Sequence, residues 1–301
     1  MRIFVTGATG FIGSAVVREL LTAGHHVLGL VRSDANATAL AASGATVVRG
    51  SLEDLDAVRS GAGDSDGVIH TAFMHSADFS NFANACAVDQ RAIAAIGDVL
   101  AGSKRPLAVT TGTPFVTGRA STEADVGDRS NPVSKLRGPA EDITLALAER
   151  GVRAIVLRMP RCVHGAAEPE WRGGFAHQLV ALARTKGHAA YVDDGAARWP
   201  AVHRRDAARL YRLAIEMAPA GSRVHAVGDE GVAVRDIAAA IGRHLHVPVE
   251  AKSGADAQAY FGFFAQIAAT DQPASAARTR ELLDWQPREP GLLADLEANV
   301  R

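Results

Sequence analysis

The first half of the chain alternates between short apolar runs and stretches in which apolar residues return every four positions. Residues 3–5 are apolar throughout, which predicts a buried strand, and glycines follow. Ile12, Val16 and Leu20 then recur at helical spacing and put one apolar face on a helix. Gly24 ends that helix, and residues 26–31 make a second apolar strand. The rhythm continues with a helix at 35–42, a strand at 46–48, a short helix at 52–58 and a strand at 68–70. A long helix at 79–100, a strand at 107–110, a helix at 134–150 and a strand at 152–157 complete it. Strands and helices alternating at this spacing predict an α/β fold with a doubly wound parallel sheet.

After residue 165 the rhythm breaks, and Gly, Pro and Trp interleave with short helices such as 175–184 and 233–244. No internal repeat is visible. The pattern predicts a dinucleotide-binding domain over 1–165, with 200–227 returning to it. A smaller C-terminal substrate-binding lobe is expected from 166–199 and 228–301.

Composition narrows the function classes. The chain has 301 residues, a formal net charge of −1 and 48% hydrophobic residues. A near-neutral charge argues against a nucleic-acid partner, which normally needs a basic surface. No apolar run is long enough for a bilayer, and the first residues enter a strand without a signal-peptide pattern. Cys86 and Cys162 stand far apart without metal spacing, so a cytoplasmic protein with reduced thiols and no metal site is expected.

The segment from Thr6 to Gly13 reads TGATGFIG between the first strand and the first helix. Gly7 permits a tight turn, Gly10 lets a pyrophosphate approach the backbone, and Gly13 allows close packing of helix on sheet. Thr9, Phe11 and Ile12 complete the cradle, and the helix N-terminus offers free N–H groups to the anion. An enzyme using NAD usually ends the second strand on an acid. Here that position holds Val31, followed by Arg32 and Ser33, which suit a 2′-phosphate; NADP is the expected cofactor.

These residues resemble the short-chain dehydrogenase/reductase superfamily, in its extended and atypical branches, and imply a Rossmann fold. Ser51 and Leu52 resemble the segment that cradles adenine, and Thr71, Ala72 and Phe73 resemble the segment that runs along the cofactor. The stretch 157–165, with Pro160 and Val163, is similar to the one lining the nicotinamide. Residues 199–207 and 275–287 resemble later family motifs. The resemblance also implies a small-molecule substrate and a homodimer formed through the long helix and the helix bearing Arg137.

The family's catalytic pattern is altered. Members usually carry Tyr and, four residues on, Lys, with a Ser and an Asn nearby. Val133 takes the Tyr position, Arg137 the Lys position and Asp89 the Asn position. Thr111 or Thr113 falls near the Ser position, with Thr113 the better match. Lys135 is out of register by two. A hydride acceptor still needs a proton, and Val133 cannot supply it. His75, on the loop after the fourth strand, His164 and Asp89 are candidate acids. Asp89 is alternatively the anchor of a cation, and a protonated imine substrate would need no acid. His203 and Asp206 read as a structural clasp; Phe73, Phe115, Trp171 and Trp199 are candidates for an apolar pocket. The expected function is an NADPH-dependent oxidoreductase that transfers hydride to a small carbonyl or imine. The alternatives are a non-catalytic NADP(H)-sensing protein and a sugar-nucleotide epimerase or dehydratase.

Overall fold

The computed structural model describes residues 1–74, 80–167, 170–172 and 174–299, with backbone alone for 167 and 170–172. Strands and helices alternate strictly at first: β1 (Arg2–Thr6), α1 (Phe11–Thr22), β2 (His26–Val31), α2 (Asp34–Ala42), β3 (Thr46–Arg49) and α3 (Leu55–Gly63). Next come β4 (Gly67–His70), α4 (Phe82–Leu100), β5 (Pro106–Gly112), α5 (Pro132–Ala146) and β6 (Arg153–Met159). The later part holds β7 (Cys162–Ala167), β8 (Glu170–Arg172), α6 (Phe175–Lys186), β9 (Ala189–Val192), β10 (Arg198–His203) and α7 (Arg204–Met217). It continues with β11 (Ser222–His225), β12 (Asp229–Ala233), α8 (Val234–Leu245), β13 (Val249–Lys252), α9 (Gly254–Phe261) and α10 (Ala265–Ala268). Two helices, α11 (Ala277–Leu283) and α12 (Leu292–Asn299), end it.

Seven strands form one parallel sheet in the order β3-β2-β1-β4-β5-β6-β11. This is the expected doubly wound Rossmann-like arrangement. One core lies under α1, α2 and α7, with Val16, Leu20, Leu40 and Tyr211 buried in it. The other lies under α3, α4 and α5, around Val58, Ile93 and Ala140. The strand order reverses between β1 and β4, which opens a crevice at the carboxyl ends of the strands.

A separate sheet, β12-β10-β7-β8, and the pair β13-β9 build the smaller unit around Trp199, Ile237 and Phe264. Within 200–227, β11 pairs with β6 at the edge of the main sheet and α7 packs in the core beneath it. β10 instead pairs with β7 and β12. Its alternating side chains serve both cores, Val202 in the main one and Trp199 with Ala201 in the smaller one. α5 also starts two residues earlier than expected. Asn131 caps it by accepting from the Val133 and Ser134 amides at 2.9 and 3.2 Å, and Pro132 suits the first helical position.

Candidate functional site

The glycine turn is shaped by contacts that leave no room for side chains. Gly7 has φ +71°, and a Cβ there would lie 2.8 Å from the Ala72 amide nitrogen and the Thr71 hydroxyl. A Cβ on Gly13 would come within 1.9 Å of the Gly7 carbonyl oxygen, so Gly13 lets α1 start directly behind the turn. The Gly10 amide donates to that same oxygen at 2.9 Å. Gly10 caps α1 without a side-chain hydrogen bond, and no acid sits in the helix's first turn. The helix N-terminus therefore keeps free N–H donors and its positive end for an anion.

This turn forms the floor of a cleft of about 780 Å³, a size suited to a ligand of cofactor dimensions. Its wall includes Gly7, Thr9, Gly10, Phe11, Ile12 and Gly13 from the turn, with Ser51 and Leu52 at one end. Thr71, Ala72, Phe73 and Val163 line it further along. Of the other expected cofactor contacts, Pro160 is buried outside that wall, and Ser33 and Arg137 are not part of it either. The glycine cradle, the uncapped helix start and the cleft's extent fit a bound dinucleotide.

At the end near β2 and β3, Val31 is buried and Arg32 is exposed on the cleft wall. Arg32 has no acidic partner among the described residues. Ser33 N-caps α2, its hydroxyl accepting from the Asn36 amide at 3.3 Å and keeping its own O–H to donate. Asn36, in the first turn of α2, lines the cleft, as does Glu53.

Toward the other end lies a buried polar chain that joins three helices and three strands. Thr6 Oγ1 lies 2.8 Å from His70 Nδ1, and His70 Nε2 lies 3.1 Å from Asp89 Oδ1. Asp89 Oδ2 accepts from Arg137, whose other terminal nitrogen donates to the Thr110 carbonyl at 2.7 Å. Thr110 Oγ1 donates to the His70 carbonyl at 2.7 Å and meets the buried Tyr211 hydroxyl at 2.5 Å. Arg137 also lies 4.5 Å from the centre of the Phe73 ring, which itself lines the cleft.

Asp89 is fully buried. Burial alone would push its carboxyl up; the His70 hydrogen bond and the Arg137 charge outweigh that and hold it below the usual carboxylate range. Both oxygens are engaged inside the protein, so Asp89 is an ionised support for Arg137. A protonated acid does not fit this arrangement. The anchored cation is Arg137 itself.

The remaining sequence candidates fall in different places. Val133 is 60% exposed in the first turn of α5, so the position matched to Tyr carries an apolar side chain in the open. Thr113 is buried, its amide bonded to the Met159 carbonyl at 2.9 Å. Among the described residues, the buried Thr111 hydroxyl has no hydrogen-bond partner. His164 is fully buried and pairs with Asp295 at 2.8 Å, away from the cleft wall. His203 caps α7 through the Arg205 amide, and Asp206 accepts from the Arg288 and Glu289 amides, which matches the clasp expected of them. His75 lies outside the described residues, as do the side chain of Trp171 and its place in an apolar pocket. Trp199 is core of the smaller unit.

Two residues near this end carried no role in the sequence reading. Arg161 lines the cleft and is held by the Ile267 carbonyl at 2.7 Å and by the Gln272 side chain. Gln272 in turn donates to the Thr113 carbonyl at 2.9 Å. Arg161 stands in the motif after β6, so its position was visible. Gln272 lies 111 residues away in sequence and gave no local signal.

The profile of the NAD dependent epimerase/dehydratase family matches residues 3–228. The chain belongs to that family. A Schizosaccharomyces pombe relative described as uncharacterized is 45% identical over 300 residues, covering 100% of this chain and 99% of its own. A Saccharomyces cerevisiae relative, also described as uncharacterized, is 40% identical over 99% of both chains. A Stenotrophomonas maltophilia protein named 2-alkyl-3-oxoalkanoate reductase is 30% identical over 74% of this chain and 67% of its own. Among solved structures, the dTDP-glucose 4,6-dehydratase of Streptomyces venezuelae with NAD bound matches with a TM-score of 0.78 at 17% identity. That match covers 99% of this chain and 95% of that one, and shares the fold. The family and its reductase relatives place the chain among oxidoreductase- and epimerase-type enzymes. Among the described residues, no helix is long and apolar enough to cross a membrane.

Proposed function

We propose that the protein is an NADPH-dependent reductase of a small carbonyl substrate, in which Arg137 stabilises the developing oxyanion. The observation that carries this reading is the Arg137 guanidinium, held by buried Asp89 and packed on Phe73 at the cleft. A bound NADPH would supply the hydride. Asp89 and the Thr110 carbonyl fix the plane of the guanidinium in advance, so its unused N–H groups need no reorganisation to receive charge. Those groups would also hold the nicotinamide ribose. A guanidinium is a poor proton donor, so the alkoxide takes its proton from water. A preformed imine, which already carries its proton, is the other substrate this arrangement accommodates.

Arg32 and Asn36 would hold the 2′-phosphate, in the place where an acid would select NAD. Reduction of a ketone is supported by the Stenotrophomonas relative, whose name describes a ketone reductase. A panel of ketones and cyclic imines, followed by loss of cofactor absorbance, is expected to show turnover with NADPH. Arg32→Ala is expected to weaken NADPH binding by about 10- to 100-fold, the worth of a charge-assisted hydrogen bond, and to leave NADH unchanged. Equal wild-type affinity for both cofactors in a fluorescence titration would overturn the cofactor assignment. Tight NADPH binding with no turnover on any carbonyl or imine would overturn the reductase and favour a dinucleotide sensor.

A further inference from the structure

Arg161 is a largely buried cation without a carboxylate partner among the described residues. Trp199 and Phe175 lie 5.4 and 5.5 Å from its guanidinium carbon, covering it with aromatic rings. Two of its five N–H groups are accounted for, one by the Ile267 carbonyl and one by the Gln272 amide oxygen. Burial presses its pKa down to about 10, the signature of a charge removed from water without compensation.

Other buried arginines of the chain differ in a telling way. Arg105, Arg153 and Arg204 also lack an acid: backbone carbonyls near the amino ends of β5 and β6 hold the first two, and the Ala166 carbonyl and Ser14 hydroxyl hold Arg204, whose pKa burial likewise presses down to about 10. Arg158 is saturated by Glu141. Arg161 alone among these five lines the cleft, with Val163, Gly174, Phe73 and Met74 also in its wall. Gly174 makes the approach possible: its φ is +56°, and a Cβ there would lie 2.7 Å from the Arg161 carbonyl oxygen. The cleft thus carries one cation near the end of β2, Arg32, and a second toward its other end, Arg161.

We infer that Arg161 is the receptor for an oxyanion on the substrate, a carboxylate or a phosphate ester borne by the carbonyl compound that is reduced. The assignment rests on the reductase reading and adds the substrate's charge to it. Arg161 touches the substrate's anionic end and positions the carbonyl; Gln272 and Ile267 position Arg161. The preorganised guanidinium repays its buried charge only when the anion arrives, which makes charge a condition of binding.

The test compares oxo acids, their methyl esters and a ketone phosphate on the NADPH-loaded wild type, Arg161→Gln and Arg161→Lys. Anionic ketones are expected to be turned over with kcat/KM about 10- to 100-fold above their esters, and Arg161→Gln is expected to erase that ratio through KM. Arg161→Lys should restore part of it while confirming that the site still folds. The acid and phosphate arms decide which oxyanion is taken. A second readout needs no turnover: a hydroxy acid should raise the melting temperature of the NADPH complex of the wild type and not of Arg161→Gln. That shift without any turnover keeps the anion site and sinks the reductase. Equal turnover of acids, phosphate and esters, unaltered in ratio by Arg161→Gln, sinks the anion site and keeps the reductase.

Discussion

Helix α5 carries two buried ion-pair clusters one turn apart, and they end differently. Arg137 faces Asp89 of α4, while Glu141 faces Arg158 of β6 and Arg223 of β11. Around Glu141 the polar groups are largely paired. Arg158 donates to both Glu141 oxygens, at 3.1 and 2.6 Å, and to the Asp125 carbonyl at 2.8 Å. It also lies 3.2 Å from His225 Nε2, whose other nitrogen bonds the Ser275 carbonyl at 2.8 Å. Arg158 is 1% exposed, whereas the Arg137 side chain keeps 20% exposure and leans on a ring of the cleft wall. The difference teaches that a buried Arg–carboxylate pair is not itself a sign of chemistry. What marks the Arg137 cluster is a guanidinium with unspent donors packed on Phe73, a ring of the cleft wall, whereas the Arg158 cluster spends its own in tying the edge strand and α11 to the sheet.

That contrast is broken most severely at Arg158. Arg158→Met removes the main partner of a buried carboxylate and is expected to lower the free energy of unfolding by about 3 to 5 kcal/mol in urea titrations. The protein that remains folded should keep its kcat; a specific loss of kcat there would erase the distinction between the clusters. Arg137→Met should act the other way. It is expected to reduce kcat by about 10²- to 10³-fold, the usual worth of one preorganised oxyanion donor, with kinetics on the best ketone of the panel as the check.

The smallest expected effect is one of pH, and it belongs to the structural cluster. Burial, reinforced by the Arg158 charge, pushes His225 from its ordinary 6.5 down to about 4. A lowered folded-state value means that the unfolded chain takes up the proton first as pH falls. The stability it confers is therefore complete above 6.5 and drains between 6.5 and about 4, by roughly 2 kcal/mol at pH 5. Asp89 and Glu141, both held below their ordinary range, lose their contribution only at lower pH, below the usual carboxylate titration. Denaturation of wild type and His225→Gln at pH 7 and pH 5 should show the larger drop in the wild type. An equal drop would remove His225 from the cluster's account.

Much of the dinucleotide end was legible in the residues. TGATGFIG names its own geometry, because the collisions that demand Gly7 and Gly13 arise between the turn, α1 and the end of β4. The replacement of the usual Tyr and Lys by Val133 and Arg137 was equally readable from the spacing in α5. His70 was readable as part of a strand and not as the link between Thr6 and Asp89, since that link spans three elements. Ser33 read as a phosphate ligand, while its second part, the cap of α2, depends on a local hydrogen bond that composition does not reveal.

The sequence by itself determined the sheet, the glycine cradle and the loss of the usual proton donor, because each follows from periodicity or from contacts between neighbours in the chain. Only the tertiary structure decided what Asp89 and Arg161 are. Asp89 became a support because burial forced its charge onto Arg137 and His70. Arg161 became a candidate receptor because Ile267 and Gln272, more than a hundred residues away, hold it in the cleft and bring no negative charge with them.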